Sequence, residues 1–180
     1  MYFEVEHILE APVEMIEAAM FRPEYLSFLV AHHEILTGAH PRALEESSGQ
    51  IKRVVHYVAR PVFDHVGFKE VPSNWFEFVE SSTWDKRTRT LAFHNVPVAD
   101  KVAERFLNKG EIQLTPLPSG KTHRRTRAEI KLHSLPLLVR PMAGMVEQMI
   151  AREAKRLLEI EARVMNEWVR GGGLAHTAQA

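Results

Sequence analysis

The chain has 180 residues, 45% of them hydrophobic, and its 23 basic side chains balance 23 acidic ones, so the formal net charge is zero. This length and apolar content suffice for one domain with a substantial core, and zero net charge excludes the global positive field that draws proteins to nucleic acid or anionic membranes. Cysteine is absent, which excludes disulfides, thiol nucleophiles and thiolate metal sites, and we therefore expect a cytoplasmic protein.

The first predicted elements are a strand and two short helices. Residues 2–10 alternate between apolar and polar side chains, which is typical of a half-buried strand, and His7 falls on its inner face. Pro12 suits the first turn of a helix, and Pro23 ends that helix just before a second one over 24–30. The order strand, helix, helix therefore opens the chain.

A run of strands follows, because the hydrophobic period changes from helical to alternating after the second helix. The pattern predicts a meander, with longer joins at 61–74 and 96–109 and a short helix within the second join. The predicted strands are His33–Glu45, Gln50–Arg60, Trp75–Trp84, Arg89–Asn95, Gly110–Pro116 and Thr122–His133. With the first strand, they predict an antiparallel sheet of about seven strands.

The last predicted element is a long helix from Pro141 to about Val169. At about 100° per residue, one face collects Met142, Val146, Met149, Ile150, Ala154, Leu157, Ile160, Val164, Met165 and Trp168. A stripe this long and broad needs a large apolar partner, so we expect the helix to lie across the sheet in an α+β architecture. The glycines at 171–173 end this helix, and we expect one domain over 1–170 and a disordered tail over 171–180.

The opening of the chain resembles a known family. Ala11-Pro12 follows the first strand, and Pro23-Glu24-Tyr25-Leu26 begins the second helix. These features, and the element order, are similar to those of START-like, Bet v 1-like helix-grip (SRPBCC) domains, including polyketide cyclase/dehydratase and lipid-transport relatives. The resemblance implies a curved antiparallel sheet that grips the C-terminal helix, with a cavity between them for lipids, polyketides or other apolar molecules. It supplies no catalytic motif to carry over to this chain.

Glu153 is the candidate polar handle of such a cavity, because it falls within the apolar stripe. A carboxylate there must be ion-paired, solvated or shifted in pKa, and two interpretations stay open: a structural or partly exposed ion pair, or a group that contacts ligand. A few polar groups in an apolar pocket are typical of small-molecule sites. The candidate cavity residues are Glu153, Met142, Val146, Met149, Ile150, Leu157, His7, Arg53, Tyr57, Phe76, Phe78, Glu80, Phe93 and Arg124.

Other chemistries find little support in the sequence. The ten histidines lack metal-ligand spacing, since Thr37 stands where His33 would need a second histidine four residues on. The basic run 121–127 lacks interleaved aromatic residues and reads as a solvated hairpin end. Phosphate-binding glycine loops, nucleophile elbows and dinucleotide fingerprints are absent from the sequence. We expect no metal, no cofactor and no nucleic-acid partner.

Membrane insertion and secretion also lack a signal. The N-terminus has no basic region followed by an apolar run, and no stretch of about 18 apolar residues occurs anywhere in the chain. We expect no integral membrane segment, and the sequence does not indicate an oligomeric state.

Three functional hypotheses remain. The favoured one is a non-catalytic binder or carrier of a lipid, fatty acid or polyketide-like compound. The second is a cyclase/dehydratase-type enzyme in which one or two of His7, Arg53, Glu80 and Glu153 move protons, which requires a converging acid–base pair. The third is an interaction module with an apolar groove, which an exposed apolar patch in 96–109 would favour.

Overall fold

A computed structural model describes residues 1–61, 65–66, 69–70, 72–133 and 143–173. Its elements, in chain order, are β1 (Tyr2–Leu9), α1 (Val13–Met20), α2 (Pro23–His32), β2 (Leu36–Glu46), β3 (Gln50–Ala59), β4 (His65–Val66), β5 (Lys69–Glu70), a 3₁₀ turn (Ser73–Phe76), β6 (Glu77–Asp85), β7 (Thr90–Pro97), α3 (Asp100–Ala103), β8 (Phe106–Pro116), β9 (Thr122–Leu132) and α4 (Ala143–Arg170).

The main sheet contains seven antiparallel strands within the described part of the chain, in the order β1-β9-β8-β7-β6-β3-β2. Its consecutive strands pair with one another except β1, which pairs with the last strand and places His7 opposite Arg124. The two-residue strands β4 and β5 form a separate hairpin that the sequence did not predict. The predicted α+β class, the seven-stranded sheet and the two early helices are confirmed.

The inner face of the sheet is packed at one end. Inner-facing side chains near that end, among them Leu9, Trp84 and Leu91, are fully buried together with Ile16 of α1 and Val164 of α4. Apolar burial of this extent supplies most of the favourable free energy of folding. This end of the sheet is a closed core.

The other end of the inner face is less covered. The inward positions there are only partly buried, and they include Phe3, Val5, Phe78, Phe93 and Phe106. Inward and outward side chains alternate along each strand, so these residues belong to the same face as the packed core. The inner face therefore changes from closed to half-exposed along the length of the strands.

Helix α4 follows the same division. It lies over β1 and β9 and against α1 and α2. Its C-terminal half buries Ile160, Val164 and Met165, whereas Met145 and Met149 in its N-terminal half are exposed. The core thus fixes the second half of the helix, and the first half borders the half-exposed part of the sheet.

Two strand boundaries differ from the prediction for local reasons. Strand β2 begins at Leu36 and not at His33, because the His33 ring Nδ1 accepts backbone N–H bonds from Ile35 and Leu36 and turns the chain after α2. Strand β6 begins at Glu77, because the chain first forms the 3₁₀ turn. Phe76, which the predicted strand Trp75–Trp84 included, therefore lies in this turn and not in a strand.

Strand β8 is longer than predicted. It begins at Phe106 and continues through Gly110, where the prediction began. The short helix expected within 96–109 is accordingly limited to α3. The predicted start of α4 at Pro141 and the tail residues 174–180 lie outside the described residues. Within the described ranges, no helix is long and apolar enough to cross a membrane.

Candidate ligand-binding site

An ion pair joins the middle of the sheet to the end of α1. Arg53 of β3 is buried, and its Nη2 donates to Glu80 Oε1 of the neighbouring β6 at 2.8 Å. Its Nη1 donates to the carbonyl oxygen of Met20 at 2.5 Å, and its guanidinium lies 5.6 Å from the centre of the Phe21 ring. A cation is favourable at the C-terminal end of a helix, where carbonyl groups lack partners.

A second ion pair joins the sheet to the long helix. Arg124 of β9 donates from Nη2 to Glu161 Oε2 of α4 at 2.7 Å, and its Nε lies 3.4 Å from Thr126 Oγ1. Burial raises the pKa of Glu161, but the attraction of and hydrogen bond from Arg124, together with the attraction of Arg53, outweigh burial and leave that pKa below its usual range. Glu161 is therefore ionised at neutral pH.

A small cavity lies between the two ion pairs. Its volume is about 30 Å³, and it is lined by Met20, Tyr25, Leu26, Leu29, Arg53, Tyr57, Leu91 and Glu161. The hydroxyl of Tyr25 and the Nε of Arg53 are buried and have no hydrogen-bond partner within the protein. Burial raises the pKa of the Tyr25 and Tyr57 hydroxyls well above the usual value, so both stay protonated. The space matches one water-sized group.

The two ion pairs and the small cavity between them form a polar cluster, and two histidines flank it. Both ring nitrogens of His7 are buried without a partner, and burial, reinforced by Arg124, lowers the pKa of His7. Burial also lowers the pKa of His33, whose Nδ1 accepts two backbone N–H bonds, so the ring proton is assigned to Nε2. Both imidazoles are expected to be neutral at neutral pH.

An apolar surface adjoins the polar cluster. Tyr57, which lines the cavity, stacks on Phe78 with 5.2 Å between the ring centres. Phe78 belongs to the half-exposed part of the inner face, with Phe93 on the neighbouring strand β7 and with Phe3 and Val5 on the edge strand β1. The candidate site thus consists of a charged and hydroxyl-bearing end beside the closed core and an aromatic part on the half-exposed inner face.

A family model described as "Protein of unknown function (DUF2505)" matches residues 4–169. The chain belongs to the DUF2505 family. No curated protein sequence matches it.

Solved structures with the same fold include two bacterial proteins. The DUF2505 chain is similar to the Zhui aromatase/cyclase from Streptomyces sp. R1128, with a TM-score of 0.65 and 14% identity over 96% of this chain and 98% of that one. It is also similar to TTHA0849 from Thermus thermophilus, with a TM-score of 0.63 and 16% identity over 92% of this chain and 97% of that one. These likenesses confirm the helix-grip fold, and at such identities they show the fold alone.

The structure of the DUF2505 chain brings together several of the residues predicted for the site. Those at or beside the polar cluster are His7, Arg53, Tyr57, Glu80 and Arg124. Phe78 and Phe93 lie on the half-exposed inner face, and Ile150 and Leu157 are partly buried on α4.

Other predicted residues are not brought into the cluster. The Glu153 side chain is 35% exposed and pairs with Arg156 of the same helix at 3.3 Å. Met149 is 54% exposed, and Phe76 lies in the 3₁₀ turn. Met142 and the side chain of Val146 lie outside the described residues.

The carboxylate that α4 contributes to the cluster is Glu161, which the sequence reading passed over. Ile160 and Ala162, the residues before and after Glu161, are both buried. Around the helix axis they lie about 100° from Glu161, one on each side of it. Glu161 is therefore at the middle of the buried arc. Counting Ala151 and Ala162 as part of the apolar stripe would have centred the stripe on Glu161.

Tyr25 was also missed. It is buried, packs edge-on against Trp168 with 6.0 Å between ring centres, and places its hydroxyl at the cavity. The available signal was its position four residues before Leu29, which puts both on the same face of α2.

A wider hollow of about 590 Å³ occupies the opposite face of the sheet. Its lining is mostly outward-facing, and includes Tyr2, Ser81, Ala92, Lys109 and Arg127. Arg127 pairs there with Glu4 at 2.6 Å. Because it lies on the outer face of the sheet, this hollow is separate from the site predicted between the inner face and α4.

Replacing His7 with phenylalanine is expected to raise the free energy of unfolding by about 1 kcal/mol, because the change removes two buried nitrogens that lack partners. It also reduces the pH dependence of stability. An unfolded histidine titrates near about 6.5, and the folded pKa of His7 is lower. The unfolded chain therefore binds more protons below about pH 6.5, and stability falls as pH decreases towards the folded pKa.

Urea unfolding at a series of pH values from about 7.5 down to about 5, which brackets the ordinary histidine pKa, measures both effects. The control is His94→Phe at an exposed position on β7, which should change stability by less than about 0.5 kcal/mol. His33 keeps part of the slope in the His7→Phe variant, since its pKa is lowered too. A His7→Phe variant that is less stable, with an unchanged slope, would contradict the placement of His7.

Proposed function

We propose that the protein binds an apolar small molecule of lipid-like or polyketide-like character. The molecule lies on the half-exposed inner face, between the sheet and the first half of α4, with its polar end towards Arg53, Tyr57 and Glu161. The observation that carries this proposal is the division of the inner face: one end is a closed core, and the other keeps aromatic side chains partly exposed on the same concave surface.

Apolar surface that faces inward and stays exposed is a favourable place for a ligand, since covering it gains about 25 cal/mol per Å². The polar cluster at the edge of this surface supplies a few fixed hydrogen-bonding groups, as small-molecule sites usually do. The buried atoms without partners at Tyr25 and Arg53 also fit a site completed by another molecule.

The arrangement favours binding over proton transfer. Glu80 and Glu161 are each bound to an arginine, and the lowered pKa of Glu161 keeps it ionised. General acid–base catalysis works best with a group whose pKa lies near the working pH. Of the residues in the enzyme hypothesis, His7 is the one in the cluster that has no bound partner, so a cyclase/dehydratase-type activity would depend on it.

The interaction-module hypothesis receives less support. Val96 near the end of β7 and Val98 just after that strand are exposed. Single exposed aliphatic side chains are normal on protein surfaces, so these two do not define a groove for a protein segment.

Filling the half-exposed face should block binding. Val5 is partly buried on the inner face of β1, and Val5→Trp places a large ring where the ligand is proposed to lie. We expect the affinity for an apolar fluorescent probe to fall about 10-fold or more, equivalent to about 1.4 kcal/mol, because the ring occupies space that the ligand needs. Fluorescence titration of the purified protein measures the change.

The matched control is Ile8→Trp, which adds the same ring to an exposed aliphatic position on the opposite face of the same strand. It should leave probe affinity unchanged. Equal affinity in the Val5→Trp variant and the wild-type protein, with both correctly folded by circular dichroism, would remove the inner face as the site.

A further inference from the structure

The polar cluster is balanced in charge. Arg53 is neutralised by Glu80, and Arg124 is neutralised by Glu161. The raised pKa of Tyr25 keeps its hydroxyl protonated and uncharged. Within the described residues that line the cavity, every cation therefore already has a carboxylate partner.

An additional carboxylate would be unfavourable in this cluster. It would lie near Glu161 without an unpaired cation to offset its desolvation, and burying an uncompensated charge is costly. A fatty-acid head group would have to displace Glu80 or Glu161 from its arginine. The charge balance therefore disfavours an anionic ligand.

The unsatisfied groups at the cavity are hydrogen-bond donors. Arg53 Nε carries one N–H and cannot accept, and the protonated Tyr25 hydroxyl can donate. Both atoms are buried on residues that line the cavity, and neither has a partner in the protein. The missing partner is an acceptor, and the volume of about 30 Å³ admits one oxygen-sized group.

We propose that the ligand is uncharged and that a carbonyl oxygen of the ligand occupies this cavity, where it accepts hydrogen bonds from Tyr25 Oη and Arg53 Nε. In the unliganded protein a water molecule fills the same position. This inference rests on the proposed function and deepens it, because it selects neutral carbonyl compounds over carboxylates among apolar ligands.

Three probes with the same undecyl tail test the inference: undecyl methyl ketone, dodecanoate and dodecane. Each compound is titrated into the wild-type protein with the apolar fluorescent dye bound, at neutral pH, and the loss of dye fluorescence measures its affinity. We expect the ketone to bind at least about 5-fold tighter than dodecane, since each net hydrogen bond contributes about that factor, and at least about 10-fold tighter than dodecanoate, whose charge is left uncompensated.

Tyr25→Phe removes the donor and keeps the ring that packs on Trp168. It should lower the affinity for the ketone about 5-fold and leave the affinity for dodecane unchanged. Tyr2→Phe, on the exposed outer face, is the matched control and should change neither affinity. Thermal unfolding by circular dichroism verifies that both variants are folded.

The outcomes separate the two proposals. Tightest binding by dodecanoate, or equal binding of ketone and dodecane to the wild-type protein, would overturn the carbonyl inference and leave apolar binding intact. An affinity for the ketone that Tyr25→Phe leaves unchanged would overturn the assignment of Tyr25 as a donor. Failure of all three probes to displace the dye would overturn the proposed function itself.

Discussion

Replacing Glu161 with leucine is expected to lower the free energy of unfolding by about 3 kcal/mol, at the lower end of the cost of breaking a buried ion pair. The substitution leaves Arg124, whose side chain is only 4% exposed, without its carboxylate partner at 2.7 Å. Removing one member of such a pair is costly, because the remaining charge stays desolvated. Urea unfolding followed by circular dichroism at neutral pH measures the loss.

Two further variants show that the loss comes from the orphaned arginine. Arg124→Met should cost less, because the Glu161 side chain is 32% exposed and can recover solvation that Arg124 cannot. The double variant Arg124→Met/Glu161→Leu should regain most of the lost stability, since an apolar pair of similar volume often replaces a buried ion pair without net cost. A double variant less stable than Glu161→Leu would contradict this account.

Replacing Gly110 with alanine is expected to cost about 3 kcal/mol or more, or to prevent folding. A Cβ at this position would lie 2.2 Å from the carbonyl oxygen of Arg127 and 2.7 Å from the ring of Phe93. The first neighbour is backbone and can move only with the strand, so the overlap is expected to distort the pairing of β8 and β9.

Gly49→Ala is the matched control, since a Cβ there meets no atom within 4 Å. It should be neutral or slightly stabilising, because alanine restricts the unfolded chain more than glycine does. Thermal and urea unfolding compare the two variants. Similar stability of Gly110→Ala and Gly49→Ala would show that the strands can separate at this point.

The sequence predicted the fold well because the fold depends on long periodic patterns. Strand alternation and the stripe of α4 each repeat over many residues, so single errors do not change the architecture. The errors occurred where local hydrogen bonds determine the backbone path. The His33 ring turns the chain before β2, and a 3₁₀ turn makes β6 begin later than predicted.

The site was harder to predict, because it depends on which side of each element faces a neighbour. Arg53, Glu80 and Arg124, which the sequence offered as cavity candidates, lie on the inner face and form ion pairs there. The carboxylate that α4 contributes is Glu161 and not Glu153, which lies two turns earlier. Buried alanines widen the buried face of α4 on one side, so that this face is centred on Glu161. Hydrophobicity alone gives an alanine little weight, although it allows close packing of helix on sheet.

The cavity volume was not predictable from the sequence. The same aromatic and aliphatic residues can fill a core or line a pocket, and packing decides between these outcomes. In the structure, Trp84 and Leu91 close one end of the inner face, while Phe78 and Phe93 remain partly exposed at the other. That difference separates core from candidate site.

Native mass spectrometry of the purified wild-type protein, followed by organic extraction of whatever is bound, tests the central claim most directly. The account predicts a complex with an apolar molecule, released by organic solvent and absent from the Val5→Trp variant. A ligand-free mass for the wild-type protein, together with no uptake of the apolar fluorescent probe, would contradict it.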